Sequence, residues 1–349
     1  MGLAYNAALS TKRGTRMKTA RRVLVTGAVG QIGSELTPAL RERYGSDNVV
    51  AAGHRTEPTA ILEEAGPFEI VDVCVRADLE RVIDRYRIDT IYHMAAILSA
   101  AGEKNPALAW SVNMDGLRNV LEAAREHRLR QVFVPSSIAA FGPETPRQST
   151  PQETVLRPRT IYGVTKVAGE LLGDYYARKL GVDVRGLRYP GIISSVTPPS
   201  GGTTDYAVEI FYAAVEGKPY TCFLREDTIL PMMYMPDCIK ATIDLMEADA
   251  AKLRHHCDFN VAAMSFSAGQ LAAQIRKHVP TFVCSYQPDS RQAIADSWPQ
   301  TIDDAAAREE WGWKPTFGFE AMTADMLEQL GARQEVGKLW PEQAKHGVR

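Results

Sequence analysis

A glycine-rich turn between an apolar strand and a helix constrains the fold of this chain more than any other feature. The run Arg22–Thr26 is predicted to be a buried strand, Gly27–Gly33 carries glycine at every third position, and a helix should follow to about Tyr44. In such a unit the first glycine permits a tight turn, the second lets backbone approach a pyrophosphate, and the third lets the helix pack on the strand. The spacing therefore predicts a dinucleotide site with phosphates at the helix N-terminus.

The rest of the N-terminal half repeats this alternation of strand and helix. Alternation places parallel strands in one sheet with helices on both faces, so it predicts a Rossmann-type doubly wound α/β domain. After about residue 190 the pattern is less regular, and prolines and glycines cluster in 197–207, which indicates a smaller C-terminal α/β substrate lobe. The further strands predicted are Asn48–Ala52, Phe68–Asp72, Thr90–Met94, Gln131–Pro135 and Val184–Tyr189.

These patterns divide the chain into four segments. We expect an N-terminal tail at 1–21, a dinucleotide-binding domain at 22–190, a substrate lobe at 191–330 whose chain crosses back to the sheet, and a C-terminal tail at 331–349. Residues 1–22 hold six basic residues and no acidic one, and they lack the apolar core of a secretory signal. We interpret this segment as a frayed tail, or as sequence that precedes a true start at Met17, and therefore expect a cytoplasmic protein. The alternative interpretation is a mitochondrial transit peptide.

Composition narrows the class of protein. The net charge of −2 favours neither nucleic acid nor an anionic membrane, and no apolar run approaches the roughly 20 residues that span a bilayer. The five cysteines are odd in number and form no C-x-x-C pair, which indicates reduced thiols in a cytosol. The run His255-His256-Cys257 resembles a metal cluster, but no second ligand pair follows at finger spacing, so we expect no metal.

The residues after the second predicted strand leave the choice between NAD and NADP open. An acidic residue that holds the adenine ribose is expected about 20 residues beyond the turn. Gly53 stands there, followed by His54 and Arg55, and a cation could instead face the 2′-phosphate of NADP. Asp72, at the end of the third predicted strand, is placed to meet the adenine amino group, although a strand-end turn explains it equally well.

Two Tyr-x-x-x-Lys pairs compete for a catalytic position. Each pair, Tyr162 with Lys166 and Tyr175 with Lys179, would share one helix face. The pairs lie 13 residues apart on one predicted helix and are therefore turned from each other by roughly 140°. Tyr162 lies at the helix start, at the edge where doubly wound sheets bind ligands, whereas packing and a surface-lying lysine explain the second pair.

The segments VTGAVGQIG, PSSIAAFG and YGVTK together resemble the extended short-chain dehydrogenase/reductase superfamily, over roughly residues 22–330. The resemblance implies that Ser137, Tyr162 and Lys166 are the catalytic trio. A free tyrosine has a pKa near 10, and an adjacent ammonium and a cationic nicotinamide both favour the phenolate; lowering the pKa to about 7 is worth about 4 kcal/mol. Tyr162 would take a hydroxyl proton as hydride leaves the same carbon, and Ser137 would hold that oxygen.

Longer segments, several of them in the substrate lobe, narrow the resemblance to L-threonine 3-dehydrogenases of the short-chain type. They include GGTTDYAVEIFY, LPMMYMPDCIKATIDLM and RQAIADSWP. This resemblance implies oxidation of the threonine 3-hydroxyl to 2-amino-3-oxobutanoate with NAD⁺ as acceptor. The family usually carries an acid where this chain has Gly53, and that departure bears on the cofactor but not on the trio.

The resemblance also implies two sets of contact residues. The dinucleotide set is Gly27, Gly30, Gln31, Ile32, Gly33, His54, Arg55, Asp72, Val73, Met94, Ala95, Ala96, Asn113, Tyr162, Lys166, Tyr189, Pro190 and Ile192. The substrate set is Ser99, Ser136, Ser137, Tyr162, Thr203, Thr204 and Trp298, with the indole as an apolar wall for the threonine methyl.

Assembly and rival functions can also be weighed from the sequence. The helix at 105–126 and the helix from Tyr162 carry more apolar residues than one sheet face can cover, which predicts a homodimer through a four-helix contact, with ordinary core as the alternative. A nucleotide-sugar epimerase or dehydratase would need several convergent cations for the diphosphate, and 191–240 holds only Lys218, Arg225 and Lys240. A cofactor-sensing regulator has no need of the trio.

Overall fold

The structure, a computed structural model, describes residues 21–199, 202–337 and 339. Residues 1–20 of the expected N-terminal tail and the last residues of the expected C-terminal tail lie outside these ranges. Arg21, also expected in the tail, is buried and donates a hydrogen bond to the Met246 carbonyl. Within the described part of the chain the strands are β1 Val23–Thr26, β2 Val49–Gly53, β3 Phe68–Ile70, β4 Thr90–His93, β5 Gln131–Phe133, β6 Ser136–Ser137, β7 Val184–Arg185, β8 Leu187–Tyr189, β9 Gly191–Ile193, β10 Tyr220–Cys222, β11 Ile229–Tyr234, β12 Phe259–Asn260, β13 Met264–Ser267 and β14 Cys284–Tyr286.

Helices cover both faces of the main sheet and make up much of the lobe. They are α1 Gly33–Tyr44, α2 Ala60–Glu64, α3 Arg76–Tyr86, α4 Ser99–Lys104, α5 Pro106–Trp110, α6 Gly116–Glu126, α7 Ile161–Leu180, α8 Tyr206–Val215, α9 Met235–Glu247, α10 Ala268–Arg276, α11 Arg291–Asp296, α12 Ala305–Trp311 and α13 Phe319–Glu335. Among the described residues, no helix is long and apolar enough to cross a membrane.

The main sheet confirms the doubly wound prediction. Its six strands run in the order β3-β2-β1-β4-β5-β7, and every pairing is parallel. Three buried apolar clusters support it: one on each side of the sheet and one in the lobe, beneath α8, α10 and α13. Because the order reverses between β1 and β4, the carboxyl ends of these two strands form the crevice where such folds bind ligands.

Two predicted strands differ from the structure because the chain changes sheets. The predicted strand Val184–Tyr189 divides at Gly186 into β7, which pairs with β5, and β8, which pairs with β6 and β12. The predicted strand Gln131–Pro135 ends at Phe133, and the next two-residue strand is β6. Strand β6 belongs to a separate three-stranded sheet, in the order β12-β8-β6, and it carries Ser136 and Ser137 past the edge of the main sheet, toward α7.

Helix boundaries also differ from expectation in two places. The helix predicted at 105–126 contains a π-helical turn, Ser111–Asp115, between α5 and α6. The C-terminal tail expected from residue 331 begins instead as helix, because α13 continues to Glu335. Leu330 is fully buried in the lobe core, and Arg333 donates hydrogen bonds to the carbonyls of Ser195 and Val196, so both residues anchor the end of this helix.

Candidate active site

The glycine turn after β1 has the shape that a pyrophosphate requires. Gly27 has φ of +65°, and a Cβ there would lie 2.6 Å from the backbone nitrogen of Ala95. A Cβ on Gly33 would lie 2.2 Å from the Gly27 carbonyl oxygen, so both positions exclude a side chain. No described side chain caps α1. The backbone N–H groups of Gln31, Ile32 and Gly33 have no acceptor among the described residues, so they are available to phosphate oxygens. The residues present fit the dinucleotide.

At the expected adenosine end of the site, the packing around Gly53 explains why no acid follows β2. A Cβ on Gly53 would lie 2.9 Å from Cζ of Phe68, so an acidic side chain would displace that ring. The acid present is Asp72, which lies 3.5 Å from His54 and accepts a hydrogen bond from the Cys74 backbone. A 2′-phosphate in this neighbourhood would face the Asp72 carboxylate, an arrangement that favours NAD over NADP. Arg55 is exposed.

The start of α7 is packed so that Tyr162 meets Ser137. Thr160 caps the helix by accepting a hydrogen bond from the Gly163 backbone at 3.1 Å. A Cβ on Gly163 would lie 2.2 Å from the Ala139 carbonyl oxygen, so only glycine permits this close approach to the 3₁₀ turn that follows Ser137. The Ser137 side chain lies near the Tyr162 phenol, close enough to lower the pKa of that phenol.

The structure brings the third member of the expected trio to the same place. Lys166 Nζ donates a 2.6 Å hydrogen bond to the carbonyl oxygen of Pro135, just beyond the end of β5. The same ammonium lies 5.3 Å from the centre of the Tyr162 ring. Serine, phenol and ammonium are thus gathered at the carboxyl edge of the sheet.

The electrostatics of the trio differ from the sequence-based expectation. Burial raises the pKa of Tyr162 to about 12, and the nearby Ser137 side chain offsets this only in part. Burial also lowers the pKa of Lys166 to about 8, against the opposing influence of the Glu170 carboxylate. In the chain alone, the loss of hydration at this depth outweighs the attraction of the Lys166 ammonium, so the expected lowering of the Tyr162 pKa is left to the cationic nicotinamide.

A buried ionic network behind Lys166 was missed in the sequence. Glu170, one helical turn beyond Lys166, accepts two hydrogen bonds from Arg188 at 2.8 and 2.9 Å, and both side chains are only 4% exposed. Ser136 donates its hydroxyl to the same carboxylate. The Ser136 oxygen can still accept a hydrogen bond, so the expected substrate contact of Ser136 stays a prediction. The four-residue spacing from Lys166 was the available signal for Glu170.

A small cavity of about 20 Å³ joins this network to the trio. It is lined by His93, Asn113, Ser136, Thr165, Lys166 and Glu170, and it is large enough for one water molecule. Lys166 uses one of its three donors on the Pro135 carbonyl. Its other two donors are free to bond to a water molecule in this cavity.

Asn113 and His93 hold the walls of the crevice. Asn113, expected to contact the dinucleotide, makes hydrogen bonds to both backbone groups of Ile97 at 2.8 and 3.0 Å and to the Thr165 hydroxyl at 3.1 Å. It therefore ties the loop after β4 to α7, beside Lys166. His93, which sequence reasoning missed, is hydrogen-bonded to Thr26 at 2.9 Å. Burial, with the nearby Lys166, lowers the His93 pKa to about 3, so this imidazole is neutral.

The remaining expected dinucleotide contacts surround the crevice. Met94, Ala95 and Ala96 follow β4, and Pro190 joins β8 to β9, so these residues lie at strand ends. Val73 is buried, and its side chain packs against the start of α6, where a Cβ on Gly116 would lie 2.8 Å from it. Tyr189 and Ile192 are at least nine-tenths buried, and the Tyr189 hydroxyl is hydrogen-bonded to Thr242.

Most of the other expected substrate residues are buried. Ser99 and Trp298 are each 6% exposed, and the indole belongs to the apolar cluster against which Tyr162 packs. Thr203 is 3% exposed, and its hydroxyl has no hydrogen-bond partner among the described residues. Thr204 contacts the start of β9, since a Cβ on Gly191 would lie 2.8 Å from its methyl group.

The competing features take ordinary structural roles. Tyr175 is 53% exposed and Lys179 is also on the surface, toward the far end of α7. Arg291 pairs with Asp289 at 2.7 Å and lies over the Phe223 ring. His255 lies between the carboxylates of Glu153 and Glu310. Among the described residues no group of three or more metal-ligating side chains occurs.

Comparison with known proteins agrees with this geometry. The model of the NAD dependent epimerase/dehydratase family matches residues 23–262. An uncharacterized epimerase/dehydratase of Staphylococcus haemolyticus is 50% identical over 315 residues, which are 90% of this chain and 99% of that protein.

Two solved structures are similar over nearly the whole chain. The holo form of a GalE-like L-threonine dehydrogenase from Cupriavidus necator is 54% identical, with a TM-score of 0.86, and covers 88% of this chain and 99% of its own. The apo form of a monomeric L-threonine 3-dehydrogenase from a metagenome is 49% identical, with a TM-score of 0.85, and covers 89% of this chain and 99% of its own. The protein described here therefore belongs to the NAD dependent epimerase/dehydratase family.

Proposed function

We propose that this protein oxidises the 3-hydroxyl of L-threonine to 2-amino-3-oxobutanoate, with NAD⁺ as hydride acceptor. The observation that carries the proposal is the convergence of Ser137, the Tyr162 phenol and the Lys166 ammonium, which lies 5.3 Å from the centre of the Tyr162 ring. The two solved relatives named as L-threonine dehydrogenases, at about half identity, support the choice of substrate.

In the proposed reaction each side chain has a separate task. Ser137 donates a hydrogen bond to the threonine hydroxyl oxygen and holds it beside Tyr162. Tyr162, as phenolate, takes the hydroxyl proton, while the C3 hydrogen leaves with its electron pair and the carbon becomes a ketone. Bound NAD⁺ supplies the hydride acceptor and a positive charge near the phenol. That charge matters because the protein's own groups hold the Tyr162 pKa at about 12.

The cations of the lobe favour a small zwitterion over a nucleotide sugar. Lys218, Arg225 and Lys240 each pair with a carboxylate, at 2.8, 2.7 and 2.7 Å respectively. A diphosphate requires several unengaged cations that converge, and these three are widely spaced and already paired. The buried Thr203 hydroxyl suits a substrate with a compact polar head.

We also propose a homodimer in the cytoplasm. The five cysteines are all free, which fits a reducing compartment. Large apolar side chains on α5 and α7 are exposed, and a second copy could bury them in a four-helix contact. They are Leu108, Trp110, Val164, Leu171 and Tyr175, and Leu171 is the most exposed of them at 67%. One solved relative is named as monomeric, so association must be measured in this chain.

A substrate panel tests the proposed activity. Purified protein is incubated with NAD⁺ and L-threonine, L-serine, UDP-glucose or UDP-galactose, while the absorbance of reduced cofactor and the interconversion of sugars are followed. We expect NADH only with L-threonine, or with L-serine at a much lower rate. Epimerisation of a UDP-sugar without net NADH would assign the site to the rival function.

A further inference from the structure

The first turn of α1 is hydrogen-bonded to a segment of the lobe. Glu35, 8% exposed, accepts a hydrogen bond from the hydroxyl of Ser194, which is fully buried. The Ser194 oxygen in turn accepts the backbone N–H groups of Val196 and Thr197, both at 3.0 Å. One carboxyl group on the helix that begins the dinucleotide site therefore sets the shape of residues 194–197, which we call the bridging segment.

A second set of contacts reaches the glycine turn itself. The Thr197 hydroxyl lies 3.2 Å from the Ser34 hydroxyl and donates to the Gln31 carbonyl at 3.4 Å. Ser34 also donates to the Gln31 carbonyl, at 3.1 Å. Gln31 is one of the residues expected to lie against the pyrophosphate, so the bridging segment and the dinucleotide share one short piece of backbone.

The opposite side of the bridging segment is held by α13. Arg333 donates to the carbonyls of Ser195 and Val196 at 2.6 and 3.2 Å. Burial raises the Glu35 pKa to about 7, while the Ser194 hydrogen bond and Arg333 act to lower it. The other titratable groups that face Glu35 are Tyr212 on α8, Tyr234 on β11 and Cys238 on α9.

The bridging segment lies shortly before an expected substrate residue in the sequence. Thr203, whose buried hydroxyl has no hydrogen-bond partner within 21–199, 202–337 and 339, comes six residues after Thr197. We propose that Glu35 is a positioning residue: through Ser194 it holds the bridging segment against the glycine turn, so that dinucleotide binding and binding of the threonine substrate are coupled. This inference rests on the proposed function, and it assigns Glu35 no contact with the reacting atoms.

Such coupling has a thermodynamic consequence that can be measured. If bound dinucleotide stabilises the bridging segment, an ordered segment must strengthen dinucleotide binding by the same factor. The amides of Val196 and Thr197 report on the segment directly, because both donate to the Ser194 oxygen. Their hydrogen exchange with and without NAD⁺ therefore reads the coupling without any turnover.

The test compares three variants with a matched control. Glu35→Ala removes the acceptor, Glu35→Gln keeps an acceptor oxygen for Ser194, and Thr197→Val removes the contact with Gln31. Glu42→Gln is the control, because Glu42 is an exposed residue of the same helix. In the wild type, NAD⁺ should slow exchange of the two amides by about tenfold, a typical size for coupling between sites. Glu35→Ala and Thr197→Val should lose most of this effect, and Glu35→Gln should retain it.

Kinetics supply an independent readout. Glu35→Ala and Thr197→Val should raise KM for L-threonine by about tenfold and leave kcat within about threefold, since they alter binding geometry and not the reacting groups.

The proposal is overturned if NAD⁺ leaves the two amides unchanged in the wild type, or if Glu35→Ala and Thr197→Val behave like Glu42→Gln. Should Glu35→Ala not fold, Thr197→Val alone decides. A wild type that responds to NAD⁺ but does not oxidise threonine would refute the proposed function and leave the link between Glu35 and the glycine turn standing.

Discussion

Lys166 Nζ lies 5.3 Å from the centre of the Tyr162 ring, and its hydrogen bond goes to the Pro135 carbonyl at 2.6 Å. The ammonium is therefore held by the link between β5 and β6, over the ring of Tyr162, rather than bonded to the phenolic oxygen. With a pKa of about 8, Lys166 is mostly charged at neutral pH. Since Tyr162 has a pKa of about 12 in this environment, the phenolate depends on both Lys166 and the charge of bound dinucleotide.

The first prediction concerns pH. A base must lose its proton to act, and the Tyr162 pKa lies above neutrality, so kcat/KM for L-threonine should rise with pH from about 6. The rise should flatten near pH 8, because Lys166, whose pKa is lowered to about 8, then loses the charge that favours the phenolate. Initial rates at saturating NAD⁺ measure the profile. Constant kcat/KM between about pH 6 and pH 8 would contradict the assignment of a high-pKa base.

The second prediction concerns the buried pair behind the trio. Glu170→Gln removes the nearest carboxylate from the buried Arg188 charge and leaves only Asp258, at 3.8 Å. Loss of one member of a buried pair costs about 3–5 kcal/mol of unfolding free energy. The control is Asp174→Asn on the same helix, which breaks an exposed pair with Arg178 and should cost less than about 1 kcal/mol. Urea unfolding measures both. Equal, small losses would show that Arg188 does not depend on Glu170.

The third prediction concerns assembly. Leu171→Glu should convert a dimer to a monomer, because it places a charge in the centre of the exposed apolar surface on α7. Sedimentation velocity measures the change in mass. Val283→Glu is the control, since Val283 is 60% exposed but belongs to the lobe. A wild type that sediments as a monomer at micromolar concentration would end the proposal of a dimer.

The fourth prediction concerns the dinucleotide. NAD⁺ should give a kcat/KM at least about tenfold above that of NADP⁺, because a 2′-phosphate would face the Asp72 carboxylate near the adenosine end. Asp72→Asn should narrow this ratio by removing the like charge. His54→Ala serves as the comparison, since it removes the ion-pair partner and should not improve NADP⁺. A wild type that prefers NADP⁺ would mean that His54 and Arg55 face the phosphate instead.

Sequence reasoning succeeded where the chemistry depends on residues close together in the chain. The glycine turn and the Tyr162–Lys166 pair are set by local spacing, and both lie where expected. It failed for Glu170 and Arg188, because their contact joins a helix to a strand and exists only after the sheets have packed. It also did not show the burial of Tyr162, which cannot be read from spacing and which raises the Tyr162 pKa in the chain alone.

The two serines expected to contact substrate after β5 show the same limit. Ser136 and Ser137 are consecutive strand residues, so their side chains point to opposite sides. The structure gives Ser137 to Tyr162 and Ser136 to Glu170. The sequence showed that the two side chains alternate. Which serine lies near Tyr162 and which near Glu170 depends on how β6 leaves the main sheet.

The fifth prediction addresses the role of Tyr162 itself. Tyr162→Phe removes only the hydroxyl that would accept the substrate proton, so turnover should fall by about 10²–10⁴-fold, while the Kd for NAD⁺, from fluorescence titration, stays within about threefold. Tyr175→Phe is the matched control on the same helix and should keep wild-type turnover, because its side chain is on the surface.

The initial rate of NADH formation from L-threonine by the wild type and by Tyr162→Phe, at equal NAD⁺ saturation, is therefore the decisive measurement. A wild type that turns over threonine and a Tyr162→Phe variant that binds NAD⁺ but scarcely reacts would agree with a phenolate base at this position. A Tyr162→Phe variant that oxidises L-threonine at near the wild-type rate would contradict it.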